Sequence, residues 1–244
     1  MTRTATPSMR GGRSGSRRAR RWVITVVVIV AVLVGLDLGA RAVAESVMAS
    51  KIEQQGLPSK PDVAIDGFPF LTQVASRDFR RVTITASNVS AGPVTITTIN
   101  AAASTIRLGS YAFSSGTIGS LSGTALISFA SLGNTLTARF GALGSLLKGA
   151  GLQLTDAGPD EVRATLDLLV TSGSATWRVT LASGNTLVVS LVGSRGLPGP
   201  LLSSIQTLTL QIPKLPLGLT IDSVVVTPRG VIGAVRGHDV PFGN

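Results

Sequence analysis

Val63-Ala-Ile-Asp-Gly-Phe-Pro-Phe-Leu-Thr-Gln-Val74 divides the chain into two regimes. Two of the seven Phe flank one Pro there, directly after a Gly. Val63, Ala64 and Ile65 read as a short strand, and Asp66-Gly67 ends it because Gly takes backbone angles other residues avoid. Pro69 fixes its own φ and biases Phe68 toward an extended conformation. Phe68, Phe70 and Leu71 are therefore expected on a stiff turn. Two readings of that turn stay open: a hydrophobic corner that plugs the end of a core, or an apolar lip at the mouth of a lipid-sized cavity. Upstream lie a membrane-type segment and a helix. Downstream lies almost nothing but strands.

The upstream part is read first. Trp22–Leu36 is a continuous apolar run that stops at Asp37. It is shorter than the ~20 residues of a typical span, with Leu38, Gly39 and Ala40 as its extension. Arg3, Arg10, Arg13, Arg17, Arg18, Arg20 and Arg21 precede it with no acid among them. That asymmetry predicts a cytoplasmic N-terminus with everything after the run outside the cell membrane. Residues 1–21 read as a disordered basic tail, 22–40 as a transmembrane anchor or signal segment, and 41–244 as one extracytoplasmic domain. Ala42-Val43-Ala44 is a passable cleavage site. Asp37 and Arg41 sit awkwardly before it, which favours a single-pass anchor over a secreted product. From Ala40 the spacing turns helical: Ala40, Val43, Ala44, Val47, Met48 and Ile52 form one stripe, stopped by Gly56 and Pro58.

Downstream, Phe79–Val89 alternates, with Val82, Ile84 and Ala86 on one face and Thr83, Thr85 and Ser87 on the other. Val94–Ile99 and Thr124–Phe129 read as strands, and Arg107–Phe113 more weakly. Leu132, Leu136, Phe140, Leu143 and Leu147 fall at helical spacing, and Pro198–Thr207 reads as a short helix. Val162, Ala164, Leu166 and Leu168, then Trp177, Val179 and Leu181, then Leu187, Val189 and Leu191 describe an antiparallel meander with one dry face. Leu219–Thr227 and Val231–Arg236 form a hairpin across Pro228-Arg229-Gly230. The expected fold is α+β: a single domain in which a long curved antiparallel sheet packs around two or three helices.

Composition narrows the chemistry. The formal charge is +10, but from Trp22 onward there are only 15 Lys+Arg against 12 Asp+Glu. The body is nearly neutral, so a nucleic-acid partner is disfavoured. Charged residues are 14% of the chain, against roughly 25% in ordinary globular proteins. The aliphatic excess suits an internal cavity or a membrane-facing patch. With no Cys and one His, His238, the common zinc sites and a Cys nucleophile are excluded. Ser145-Leu-Leu-Lys148 matches S-x-x-K without its companion motifs, and no nucleophile elbow or phosphate loop is present. Asp156, Asp160 and Glu161 gather at a turn without marking a paired-carboxylate site. The reading is a protein that is not an enzyme and needs no metal or cofactor. Asp78-Phe-Arg-Arg81 is a solvated strand end or a contact for anionic lipid headgroups.

Val63–Gln73, followed by Phe79-Arg-Arg-Val-Thr-Ile84, resembles the opening of the LmeA-like phospholipid-binding family of actinobacterial cell-envelope proteins. Gly123–Ser128, Leu215–Leu219, Val224–Gly230 and Gly237–Val240 add weaker matches, so the likeness covers about residues 40–242. It implies a membrane or envelope protein that binds phospholipid, with lipid transport or glycolipid and mannan assembly as its setting. It also implies a fold similar to the tubular lipid-binding proteins and no catalytic residues. Phe68, Pro69, Phe70 and Leu71 match the family motif. With Val74 and Phe79 they are the expected lipid-facing corner, and Arg80 and Arg81 the expected headgroup contacts. The rival expectation is a structural or scaffolding envelope protein that binds another protein. An envelope hydrolase or transferase comes third.

Overall fold

The computed structural model describes residues 16–54, 57–91, 94–109, 115–139, 149, 151–168, 171–182, 186–196, 207–211 and 219–242. One helix, α1 (Ser16–Glu53), carries both the apolar run and the stripe after it, a rod of 38 residues and about 57 Å. It is the one described helix long and apolar enough to cross a membrane. Then follow β1 (Asp62–Asp66), α2 (Phe70–Ser76), β2 (Asp78–Ala91), β3 (Val94–Leu108), β4 (Gly116–Ser128), α3 (Phe129–Arg139), β5 (Gln153–Gly158) and β6 (Glu161–Leu168). The chain ends with β7 (Thr171–Ala182), β8 (Thr186–Arg195), β9 (Thr207–Gln211), β10 (Thr220–Thr227) and β11 (Gly230–Phe242).

The chain has the expected α+β plan with antiparallel pairing. Its strands divide into two sheets, ordered β1-β2-β3-β4-β11-β10 and β5-β6-β7-β8-β9. The division follows from chain order. The chain leaves the first sheet at Ser128 through α3, builds the meander, and returns with the final hairpin. Edge strand β10 touches β5 and β7, so the two sheets meet there.

β3 and β4 are longer than alternation predicts. β3 runs unbroken through Ala101, Ala102 and Ala103, and β4 starts at Gly116 and crosses Gly-Ser-Leu-Ser-Gly. Such residues have little strand preference of their own. Each strand is paired on both sides, and the ladder holds them extended. Leu132 and Leu136 lie on α3. Phe140, Leu143, Leu147, Pro198, Tyr111 and Phe113, with residues 1–15 and Ser145–Lys148, lie outside the described residues.

The helical stripe differs in one respect. Ala40, Ala44, Met48 and Ile52 pack on the core as expected, joined by buried Ala49, whereas Val43 and Val47 are exposed. The alanines present little bulk, so α1 seats on β1 by its small-residue side and the valines turn outward.

A crease crosses the first sheet. Arg80, Thr105, Gly119 and Asp239, on four adjacent strands, are passed over in the pairing together. Thr105 and Asp239 are left-handed there, with φ 55° and 47°. Residues three apart on a regular strand face opposite sides. Here Phe79 and Val82, like Ile106 and Ala103, enter one core cluster. The crease thus keeps the apolar face apolar from one end of the sheet to the other.

Candidate lipid-binding site

Register sets the composition of that face. Val63, Ile84, Ala101, Gly123, Val235 and Ile221 stand side by side across six strands. The neighbouring rows are Ile65, Val82, Ala103 and Leu121, and Ala86, Ile99, Ala125, Gly233 and Val224. No charged or hydroxyl side chain enters these rows. The opposite face carries Thr85, Ser87, Asn100, Ser120, Ser122, Thr124, Arg236 and His238, all exposed. Size varies along these rows: Ala101 stands beside Gly123 and Ala125 beside Gly233, with Ile99 and Leu121 on the same strands. The result is a trough with a low floor.

Its sides are built unequally. α1 covers the β1–β2 side, where Val63, Ile65 and Val82 are buried. Toward β10, Ala101, Leu121, Ala125, Val235 and Val224 are only half-buried. A Cβ placed on Gly233 would meet no atom within 4 Å. The open space is local to Gly233, for a Cβ on Gly123 or Gly237 of the same face would meet Val235 or Leu219.

The Phe-Pro-Phe corner closes one end. Phe70 and Phe79 are buried at 4% and 3% exposure, with ring centroids 6.2 Å apart and planes inclined by 51°. Ile106, Ile118, Leu108, Val74 and Phe242 pack around them. Phe68, at 57% exposure, and Leu71, at 45%, point outward beside exposed Pro69. The motif divides its side chains between an inner plug and an outer surface, with Phe68–Pro69 a cis peptide. Gly67 has φ 111°, and a Cβ there would lie 2.6 Å from the Gln73 amide nitrogen, so only Gly fits. Arg80 and Arg81 are both exposed at this end; Arg81 stands opposite Asp66 and Ser104 in the strand register.

Two carboxylates of α1 hold the corner and the first strand. The Phe70 N–H donates to Asp37 Oδ2 at 2.8 Å, and the Leu71 N–H donates to Asp37 Oδ1 at 2.7 Å. These are orphan donors of the first turn of α2, and the carboxylate caps them from 33 residues away. Asp37 is only 4% exposed. Eight residues on, Glu45 Oε1 accepts from the Ile65 N–H and from Arg41 Nε, each at 2.8 Å. Burial alone would raise the Glu45 pKa; the Ile65 N–H and the Arg41 guanidinium outweigh it and hold the group below its ordinary value. The interruption at Asp37, awkward in a membrane segment read alone, is a tertiary cap. Its only sequence signal is that one acid falls where the apolar run should continue.

Two clefts flank α3. One of about 390 Å³ is lined by Asn88, Thr95, Thr97, Ser128, Ser131 and Asn134, and one of about 460 Å³ lies between α3 and β5. Thr97 and Ile106 are nine residues apart on β3, which puts the first cleft about 30 Å from the aromatic plug. His238 is exposed on β11, and Glu161 pairs with Arg178 at 2.6 Å. Among the described residues no group of three or more His, Cys, Asp and Glu converges.

Comparison with curated proteins and with solved structures gives no match. The family model described as LmeA-like phospholipid-binding matches residues 35–236, which takes in Asp37, the corner, the whole trough and the meander. An N-terminal apolar helix, a charge-free sheet face and a match over most of the chain agree, and the chain belongs to the LmeA-like phospholipid-binding family.

Proposed function

We propose that the protein lays the acyl chains of a phospholipid along the trough between α1 and β10, with the headgroup at the surface near Arg80 and Arg81. The observation that carries this reading is the uncharged, half-buried floor of Ala101, Ala125 and Gly233, open over Gly233. Exposing an acyl chain to water costs ~0.8 kcal/mol per CH₂, on the order of 12 kcal/mol for sixteen carbons. A dry aliphatic surface lowers that barrier with no bond made or broken, which suits a non-catalytic carrier. Phe70, Phe79 and Val74 form the end wall of the trough, and Phe68, Pro69 and Leu71 its outer lip. Residues 22–40 anchor the chain in the cell membrane, with the Arg-rich tail cytoplasmic and the body outside. Transfer of lipid between membrane and wall, in support of glycolipid or mannan assembly, is the process this arrangement serves.

The test is titration of the delipidated full chain in detergent with a fluorescent phospholipid, with and without anionic headgroups. Saturable uptake, weakened about tenfold by Gly233→Leu, is expected; a flat titration of the natural chain overturns the reading. A second reading draws on exposed Val43 and Val47: an apolar ridge on α1 that binds another protein, so that the chain acts as a scaffold. Protein partners recovered with no co-purifying lipid would favour it.

A further inference from the structure

Distances along α1 fix where the Phe-Pro-Phe corner stands relative to a bilayer. A helix rises 1.5 Å per residue, and the hydrocarbon core is about 30 Å thick, so about 20 residues are needed to cross it. Counted from Trp22, whose ring suits a membrane interface, the core extends to about residue 41. Asp37 falls about four residues, or 6 Å, short of that boundary. The apolar run alone, Trp22–Leu36, spans only about 22 Å.

A carboxylate facing lipid at that depth would be costly. Asp37 does not face lipid: it is buried, and both of its oxygens are taken up by the Phe70 and Leu71 N–H groups. Those bonds fix the first turn of α2 at the level of residue 37. The side chains exposed there are Phe68 and Leu71 on the corner and Leu33, Leu36 and Leu38 on the helix. All five are apolar and, by that count, lie below the hydrocarbon boundary.

We infer that Phe68 and Leu71 are seated in the outer leaflet beside α1, as a second membrane contact whose depth Asp37 sets. The partner is the acyl region of the bilayer that holds α1. This rests on the reading of residues 22–40 as an anchor. It adds that the plugged end of the trough abuts the leaflet, with the aromatic end wall between the acyl region and the trough floor. Asp37 acts here as a positioning residue, since it touches backbone and not lipid.

The experiment uses the full chain reconstituted in phosphatidylcholine vesicles containing lipids brominated on the upper acyl chain. Trp22 and Trp177, the two native tryptophans, are replaced by Phe. Phe68→Trp then reports the corner, and Ser87→Trp on the exposed polar face is the control. Expected is blue-shifted emission from Phe68→Trp with several-fold stronger bromolipid quenching than the control. Quenching equal to the control, with full access to aqueous iodide, overturns the inference. Leu71→Trp makes the same measurement should Phe68→Trp fail to fold. Adding Asp37→Ala should lower the quenching toward the control; unchanged quenching removes the role assigned to Asp37. Uptake by the same variants in detergent separates the readings. Quenching without uptake keeps the membrane contact and removes the lipid-binding trough, and uptake without quenching does the reverse.

Discussion

The two ends of one apolar sheet face are finished differently. At the corner, Phe70, Phe79, Ile106 and Phe242 interlock beneath α1 and leave no low floor. Toward β10, the same face continues in Ala101, Gly123, Ala125 and Gly233, with open space over Gly233. Large residues meeting a helix make a core, whereas the small residues toward β10 stay half-buried. The contrast teaches that side-chain volume and helix cover, rather than polarity, separate the buried half of this face from the half-buried one.

That comparison can be broken at several points. The largest expected effect is Phe79→Ala in the closed half: a loss of about 3–5 kcal/mol, typical of a buried aromatic removed from a packed cluster, read as a fall in the denaturant midpoint. Asp37→Ala comes next. It strips the acceptor from two N–H groups at about 1–3 kcal/mol per buried unsatisfied donor, and a loss of about 2–4 kcal/mol is expected by the same measurement. A change under about 0.5 kcal/mol, the size of an ordinary surface substitution, would mean the cap is not needed.

In the open half the pattern should invert. Gly233→Leu adds side chain where nothing stands, so stability should hold while phospholipid affinity falls about tenfold, or 1.4 kcal/mol. A variant that loses stability and keeps its lipid would erase the distinction between the halves.

The smallest effect concerns Glu45. Its carboxyl titrates below the ordinary value in the folded chain, so its contribution is complete above the unfolded pKa and is lost as pH falls through the lowered one. Unfolding midpoints taken at neutral pH and well below about 4.3, the ordinary Glu pKa, should differ more in the natural chain than in Glu45→Gln. Equal differences would remove Glu45 as a pH-sensitive tie between α1 and β1.

Much of this was legible in the chain beforehand. Alternation identified the inward residues of β2 and the meander, because a strand side chain's facing follows from its neighbours, and Pro228-Arg229-Gly230 marked the turn of the last hairpin. The Phe-Pro-Phe stretch was open to two readings, plug or lip. Burial puts Phe70 in the core beside Phe79 and leaves Phe68 and Leu71 exposed. Val43 and Val47 could not be told from Ala40 and Ala44 by spacing, since all four fit one helical stripe and only contact with β1 rotates the helix to choose. The extended course of the Ala, Gly and Ser residues of β3 and β4 was equally hidden, because ladders on both sides impose it.

By itself the amino-acid order determined an apolar N-terminal helix, a run of antiparallel strands with one dry face and a body poor in charge; each follows from local periodicity and composition. Only the tertiary structure decided that Asp37 caps a helix 33 residues away, that a crease at Thr105 and Asp239 keeps the face apolar across it, and that small residues from three strands line up as a floor. These depend on which distant segments lie side by side, and hydrogen-bond partners and cross-strand neighbours exist only after the chain has folded.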